Sequence, residues 1–201
     1  MTCFLACVIA LYALSGGALA DTRTYIVQPG DSLWKIAVKN QVGLSEIIAA
    51  NPRIENPELI YPGQEISIPV DLETTAVEKE VVDMVNAERA YQGLPALSYN
   101  WELARVARYK SEDMRDKRYF SHQSPTYGSP FDMIRAFGIS FRAAGENIAM
   151  GYKTPAEVMK GWMNSTGHRS NILNSAFTQI GVGYAKDSSG MTYWTQHFIR
   201  P

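Results

Sequence analysis

The sequence predicts an α/β (α+β) protein in two units: a small module running strand, helix, helix, strand, then a larger domain of several helices packed on a short antiparallel sheet. Three observations predict this. The 201 residues suffice for one ordinary domain plus a small module. Charge is unevenly divided: residues 21–80 carry ten acidic and five basic side chains, a balance of −5, whereas residues 81–201 carry ten and fourteen, a balance of +4. Each half also mixes the alternation of strands with the three-to-four spacing of helices. Apolar residues at 46% and charged residues at 19% fit a soluble globular protein and exclude a disordered tail.

The first stretch, MTCFLACVIALYALSGGALA, holds no charged side chain and ends in Ala18-Leu19-Ala20, the small-x-small pattern of a signal-peptidase site. Residues 1–20 are therefore expected to be a secretory leader. It lacks a Lys or Arg near its start, and about 20 apolar residues can span a bilayer, so an uncleaved anchor is the alternative. Once the leader is removed, no stable membrane span is expected. Cys3 and Cys7 both lie in the leader, so the mature chain would contain no cysteine, and neither disulfides nor thiolate-bound metal would support its fold. An exported protein without disulfides suits a bacterial surface.

Residues 24–40, TYIVQPGDSLWKIAVKN, open as a strand, turn at Pro29-Gly30, and offer Asp31 or Ser32 as N-cap to a short helix with Leu33, Ile36 and Ala37 inward. A second short helix covers about Leu44 to Ala50. It stops at Asn51-Pro52, because a proline disfavours helical geometry in the residue before it. Tyr61-Pro62-Gly63 then turns into EISIP, where Ile66 and Ile68 alternate with polar neighbours.

YIVQPGDSLWKIA, the AANP closing the second helix, and IYPGQEISIP together resemble the LysM module over residues 24–69. The resemblance implies binding of glycans containing N-acetylglucosamine, as in peptidoglycan or chitin, in a shallow groove beside two loops. Carried over, Gly30, Asp31, Ser32 and Leu33 form one wall, and Asn51, Pro52, Ile60 and Tyr61 the other. Turn backbone can bond an acetamido group while Leu33 and Ile60 meet its methyl and the sugar's apolar face. One such module binds weakly, so retention on a wall calls for a second contact.

Residues 70–80, VDLETTAVEKE, read as an acidic linker running into a helix of about Thr75 to Gln92, which Gly93-Leu94-Pro95 ends. Asn100 caps a helix carrying Trp101, Leu103, Ala104, Ala107 and Met114. Ser129-Pro130 begins a third and Thr154-Pro155 a fourth, with Glu157 placed to complete a capping box and Gly167 to end the run. GENIA, residues 145–149, reads as a strand or strand end. IGVGYA, the DSSG turn and MTYWTQHFI read as an antiparallel hairpin.

VNAERAYQGLPALSYNWELARVARYKSEDM, YFSHQSP, GENIAMG, VMKGWMNSTGHRSNILN, and IGVGYA with YWTQHF resemble, in order, the CAP superfamily of cysteine-rich secretory, antigen 5 and pathogenesis-related proteins. The domain is set at residues 81–199. An α-β-α sandwich follows by resemblance, with a cleft lined by two histidines and two glutamates. His122, Glu146 and His168 match three of these positions. In eukaryotic relatives the second glutamate lies three residues after the tryptophan of the fourth helix, where this chain has Ser165.

Spacing alone joins His122, Glu146 and His168 by no local motif; they are either cleft residues or turn caps and buried partners. Such a set can polarise water, and His122 with His168 can contribute to a divalent metal site such as zinc, though no cofactor is certain. His197 reads as structural on the last strand, and Trp162, Trp194 and Phe198 as core. No G-x-S-x-G, H-E-x-x-H or phosphate-loop pattern is present, and +4 is too weak a charge for a nucleic-acid partner. The expected protein is exported to the cell wall or surface, with the spore coat one such place. It binds peptidoglycan or a related N-acetylglucosamine glycan and presents the cleft to a ligand. The alternative is a wall hydrolase in which His122, Glu146 and His168 are catalytic. No protein partner is named by the sequence.

Overall fold

The structure is a computed structural model and describes residues 21–201. The expected leader, with Cys3 and Cys7, lies outside the described residues.

The first module consists of β1 (Thr22–Ile26), α1 (Leu33–Asn40), α2 (Leu44–Ala50) and β2 (Glu65–Pro69). β1 and β2 pair antiparallel with Tyr25 opposite Ile66. Val27, Leu33, Ile36, Ala37, Ile47, Ile66 and Ile68 close a core between this ribbon and the two helices. Of the two candidate caps, Ser32 does the capping: its hydroxyl accepts from the Lys35 N–H at 3.2 Å. Asp31 instead accepts from the Gln28 N–H and the Tyr25 hydroxyl, both at 2.8 Å. These two bonds draw shut a turn in which Gly30 takes φ 85°, a value that suits a residue without Cβ.

The second domain begins at once. α3 spans Leu72–Tyr91, and its N-cap Asp71 accepts from the Thr74 N–H at 2.8 Å. Most of the acidic stretch expected as a linker is therefore helix, because Asp71 starts the helix three residues earlier than the apolar spacing indicates. After it come β3 (Ser98–Tyr99), α4 (Trp101–Asp116), α5 (Pro130–Ala136), β4 (Ala143–Met150), α6 (Pro155–Met163), α7 (Thr166–Ile172), β5 (Gln179–Lys186) and β6 (Thr192–Arg200).

One four-stranded sheet has the order β3-β5-β6-β4; β3 runs parallel to β5, and the other pairs are antiparallel. Its alternating side chains separate two apolar layers. Ile180, Val182, Trp194 and Phe198 meet α3, α6 and α7 on one face. On the other, Ile199 meets Leu103 and Val106 of α4 and Met133 and Ile134 of α5, while Ile148 and Tyr193 meet Met114. This is the α-β-α sandwich.

Helix α4 lies directly on β5 because IGVGYA presents glycine at every second position toward it. A Cβ on Gly181 would fall 2.3 Å from the Ala104 nitrogen, and one on Gly183 would fall 2.1 Å from the Ala107 carbonyl carbon. Beyond the short β3, Glu78 of α3 accepts from the Tyr184 N–H at 3.0 Å, which satisfies part of the exposed edge of β5. The same buried carboxylate pairs with the Arg108 Nε at 2.8 Å and so joins α3 to α4.

One expected boundary is corrected. α6 stops at Met163, and Gly167 and His168 lie inside the separate helix α7. The break comes from Ser165, whose extended φ −103° and ψ 120° interrupt the helical run. Gly167 is not among the glycines with positive φ, so it does not end a helix here.

Candidate functional site

The candidate site is built outward from helix α4. Leu103, Val106 and Ala107 define its buried stripe, and helical spacing carries Lys110, Ser111, Asp113 and Met114 onto the same face. Lys110 is wholly buried, and its ammonium donates to the Tyr119 hydroxyl (3.0 Å), the Ser121 carbonyl (2.8 Å) and the His122 carbonyl (3.0 Å). The Asp113 carboxylate accepts from the hydroxyls of Tyr119 at 2.6 Å and Ser124 at 2.7 Å, and also from Thr126. Burial alone would raise the Asp113 pKa, but these hydroxyls outweigh it and hold the group below its ordinary value. Two buried charges thereby pin the irregular segment that carries His122.

Glu146 stands on β4, an edge strand, directly opposite His197 of β6. Its Oε1 lies 2.6 Å from His122 Nδ1 and its Oε2 lies 2.8 Å from His197 Nε2. Burial pushes this carboxyl upward; the hydrogen bonds from His122 and His197, with the charges of His197 and Lys110, outweigh it and leave the pKa below its ordinary value. An ionised carboxylate accepts only, so both imidazole nitrogens donate to it. Nδ1 of His122 then carries a hydrogen, and Nε2 is the ring position not engaged by Glu146, on a side chain 56% exposed. His197 is fully buried, and its Nδ1 has no hydrogen-bond partner among the described residues.

His168 comes from the opposite helical layer. Its carbonyl accepts from the Asn147 amide at 3.1 Å, while the Asn171 amide donates to the Glu146 carbonyl at 3.1 Å and to Asn147 Oδ1 at 2.9 Å. These bonds dock α7 against β4. Burial lowers the His168 pKa, and the charge of His122 lowers it further. Among the described residues no hydrogen bond joins His168 to His122 or Glu146. The structure thus brings His122 and Glu146 into contact, and joins His168 to this region through its carbonyl, which accepts from Asn147 beside Glu146 on β4. Its addition to the sequence-derived set is His197, whose part depends on strand register. Lys110 and Asp113 were also missed, although their place on the apolar stripe of α4 signals buried charge.

His122 and His168 supply two imidazoles toward a divalent metal, one short of the three protein ligands of a catalytic zinc site. The nearest carboxylate, Glu146, already has both oxygens engaged by histidines. Among the described residues no group of three or more His, Cys, Asp or Glu side chains converges as a metal site. Ser165, at the second-glutamate position, is the N-cap residue of α7. Glu157 accepts from the Lys153 N–H at 2.8 Å and so belongs to the start of α6.

In the first module, Gly30, Pro52 and Tyr61 are exposed, and Asp31, Ser32 and Ile60 are half-buried. Leu33 and Asn51 are corrected as side-chain contributors. Leu33 lies in the module core. The Asn51 amide donates to the carbonyls of Ile47 and Ser67 and accepts from the Ser67 N–H, which uses its bonding capacity internally. Trp34, 62% exposed, stands beside them and was overlooked; with Leu33, Ile36 and Ala37 inward, its position on α1 has to face out.

Comparison with known proteins follows the same division. The cysteine-rich secretory protein family matches residues 82–198, and the LysM domain matches residues 25–69. The uncharacterized protein YkwD of Bacillus subtilis (strain 168) is 62% identical over 125 residues, which are 62% of this chain and 48% of that one. The uncharacterized membrane protein YlbC of the same organism is 41% identical over 126 residues, 63% of this chain and 35% of that one. The matches span half or less of these curated relatives. Among solved structures, an extracellular protein containing an SCP domain from Bacillus anthracis str. Ames superposes with a TM-score of 0.60 at 37% identity, over 70% of this chain and 47% of that one.

Proposed function

The chain belongs to the cysteine-rich secretory protein family and carries a LysM domain ahead of that domain, and on this premise we propose an exported, wall-associated binding protein. Its first module holds N-acetylglucosamine-containing glycan, and the cleft at His122, Glu146 and His168 receives a ligand or partner at the wall. LysM domains bind such glycans, peptidoglycan and chitin among them. The observation that carries the reading is the exposure of both turns of the module: Gly30 on one side, and Tyr61, Pro62 and Gly63 on the other. Their backbone groups are offered to an acetamido unit and the Tyr61 ring to a sugar face. Location at the cell surface or outside the cell accords with the extracellular relative. Among the described residues no helix is long and apolar enough to cross a membrane. Spore-coat or envelope assembly is the narrower setting.

A second reading, a wall hydrolase, is favoured by one feature of the cleft. Glu146 fixes the His122 tautomer with Nε2 outward, the arrangement of a general base. Water approaching Nε2 would give up a proton there while its oxygen attacks the scissile carbon of a wall peptide or glycan; the amide C–N or glycosidic C–O bond would break, and the imidazolium would return the proton to the leaving amine or alcohol.

Purified sacculi separate the two. Pelleting of the mature protein without released fragments supports the binding reading, and Tyr61→Ala is expected to weaken pelleting about fivefold, in keeping with loss of one aromatic contact. Fragment release that disappears in His122→Ala supports the hydrolase. Failure to pellet ends the wall-binding proposal.

A further inference from the structure

The two modules meet across a bidentate ion pair. Glu46 of α2 accepts from Arg105 Nε at 3.0 Å and Nη2 at 3.1 Å. Gly43 lies against this pair so closely that a Cβ there would fall 1.8 Å from Glu46 Oε2. Behind the pair the interface forms a half-open cavity of ≈ 310 Å³, lined by β1, the α1–α2 turn, the β2–α3 junction and the first half of α4. Its lining includes neither the exposed turns of the first module nor His122, Glu146 or His168.

We propose that this inter-module cavity binds a single sugar unit carrying a carboxylate. Its volume sits at the lower end of small-molecule sites and suits one ring rather than a chain. Four cations line it: Arg23, Lys79, Arg105 and Arg108. Glu46 fixes Arg105 and Glu78 fixes Arg108, so both guanidinium groups stand preorganised. Arg23 and Lys79 have no carboxylate partner among the described residues; Arg23 donates one N–H to the Asn40 side chain, and the positive charge of both groups is left for an incoming anion. The other lining carboxylate, Asp71, is committed to the Thr74 N–H at the start of α3. Counting Glu78, four positive groups face three negative ones, and a ligand carboxylate balances the site.

The remaining lining fits the sugar. Trp101 and Tyr99 supply ring faces, already flanked by Arg105 at 6.0 Å and Lys79 at 5.5 Å from the respective centroids. A pyranose edge laid on these rings brings its acid group to the cations. The backbone carbonyls of Gln41 and Val42 can accept from an acetamido N–H or a hydroxyl group. The assignment rests on the wall-glycan reading only for the source of the ligand, since acidic amino sugars belong to that material.

The test is a nuclear magnetic resonance titration of residues 21–201, following the tryptophan indole signals, with that of Trp101 assigned through Trp101→Phe. N-acetylmuramic acid is the probe and N-acetylglucosamine its neutral counterpart. The expected result is that N-acetylmuramic acid shifts the Trp101 indole, that N-acetylglucosamine does not, and that the surface variant Arg23→Glu/Lys79→Glu binds the acid about fivefold more weakly, as two reversed rim charges would cause. The proposal is overturned if the acid leaves Trp101 unmoved, if both sugars move it equally, or if the double variant binds unchanged. Chitin oligomers that shift the loops at Gly30 and Tyr61 while N-acetylmuramic acid leaves the cavity silent would end this proposal and leave the wall reading standing. A responding cavity beside silent loops would do the reverse.

Discussion

Replacing Lys110 with Met keeps the aliphatic stem of a wholly buried side chain and removes its ammonium. The carbonyls of Ser121 and His122 then lose their donor, and Tyr119 loses one of its two partners. A buried acceptor left unsatisfied costs roughly 1–3 kcal/mol, and the retained packing offsets little of that, so about 3 kcal/mol is expected. For a domain of this size the melting temperature should fall by roughly 10 °C. Because the lost bonds hold the segment bearing His122, amide exchange should quicken at Thr126 and Tyr127, whose N–H groups bond Ser124. Lys160→Met, on the exposed face of α6, is the control and should stay within about 0.5 kcal/mol. A fall of less than about 2 °C with unchanged exchange in Lys110→Met would refute the idea that a buried cation positions the segment bearing His122.

Gly183→Ala should destabilise the domain by about 3 kcal/mol, seen in urea denaturation, because its methyl would lie 2.1 Å from α4 backbone that cannot turn aside. Stability should also fall on the acid side in two steps. His168 lies below its ordinary 6.5, so the neutral ring's contribution is complete above about 6.5 and is lost as pH drops toward the folded value, where the unfolded chain takes up the proton first. Glu146 lies below its ordinary 4.5, so its contribution is complete above about 4.5 and is lost as pH falls through the lower folded value. Thermal melts across this range should show the upper step vanish in His168→Gln; its survival would assign that step to another group.

Much of the fold was legible because its signals are local. Ser32, Asn100, Ser129 and Thr154 each accept a backbone N–H three residues on, so cap, spacing and helix start coincide within one turn of chain. Leu33, Ile36 and Ala37 face inward as their spacing requires. The misjudged places are those where a nonlocal contact sets the outcome. Asn51 fits a loop residue by type, yet its amide bridges α2 to β2, sixteen residues away. Gly167 has the chemistry of a helix end but lies inside α7, which Asn147 and Asn171 dock against the sheet.

By itself the sequence determined two modules, the element order of the first and, apart from β3 and α7, of the second, and that His122, Glu146 and His168 were the residues to watch. Tertiary structure decided which of them touch. The partners of Glu146 are separated from it by 24 and 51 positions, and no periodicity reaches across such intervals. Strand register placed His197 opposite Glu146, and burial made the carboxylate depend on the imidazoles that surround it, since charge removed from water is stable only where donors replace the water.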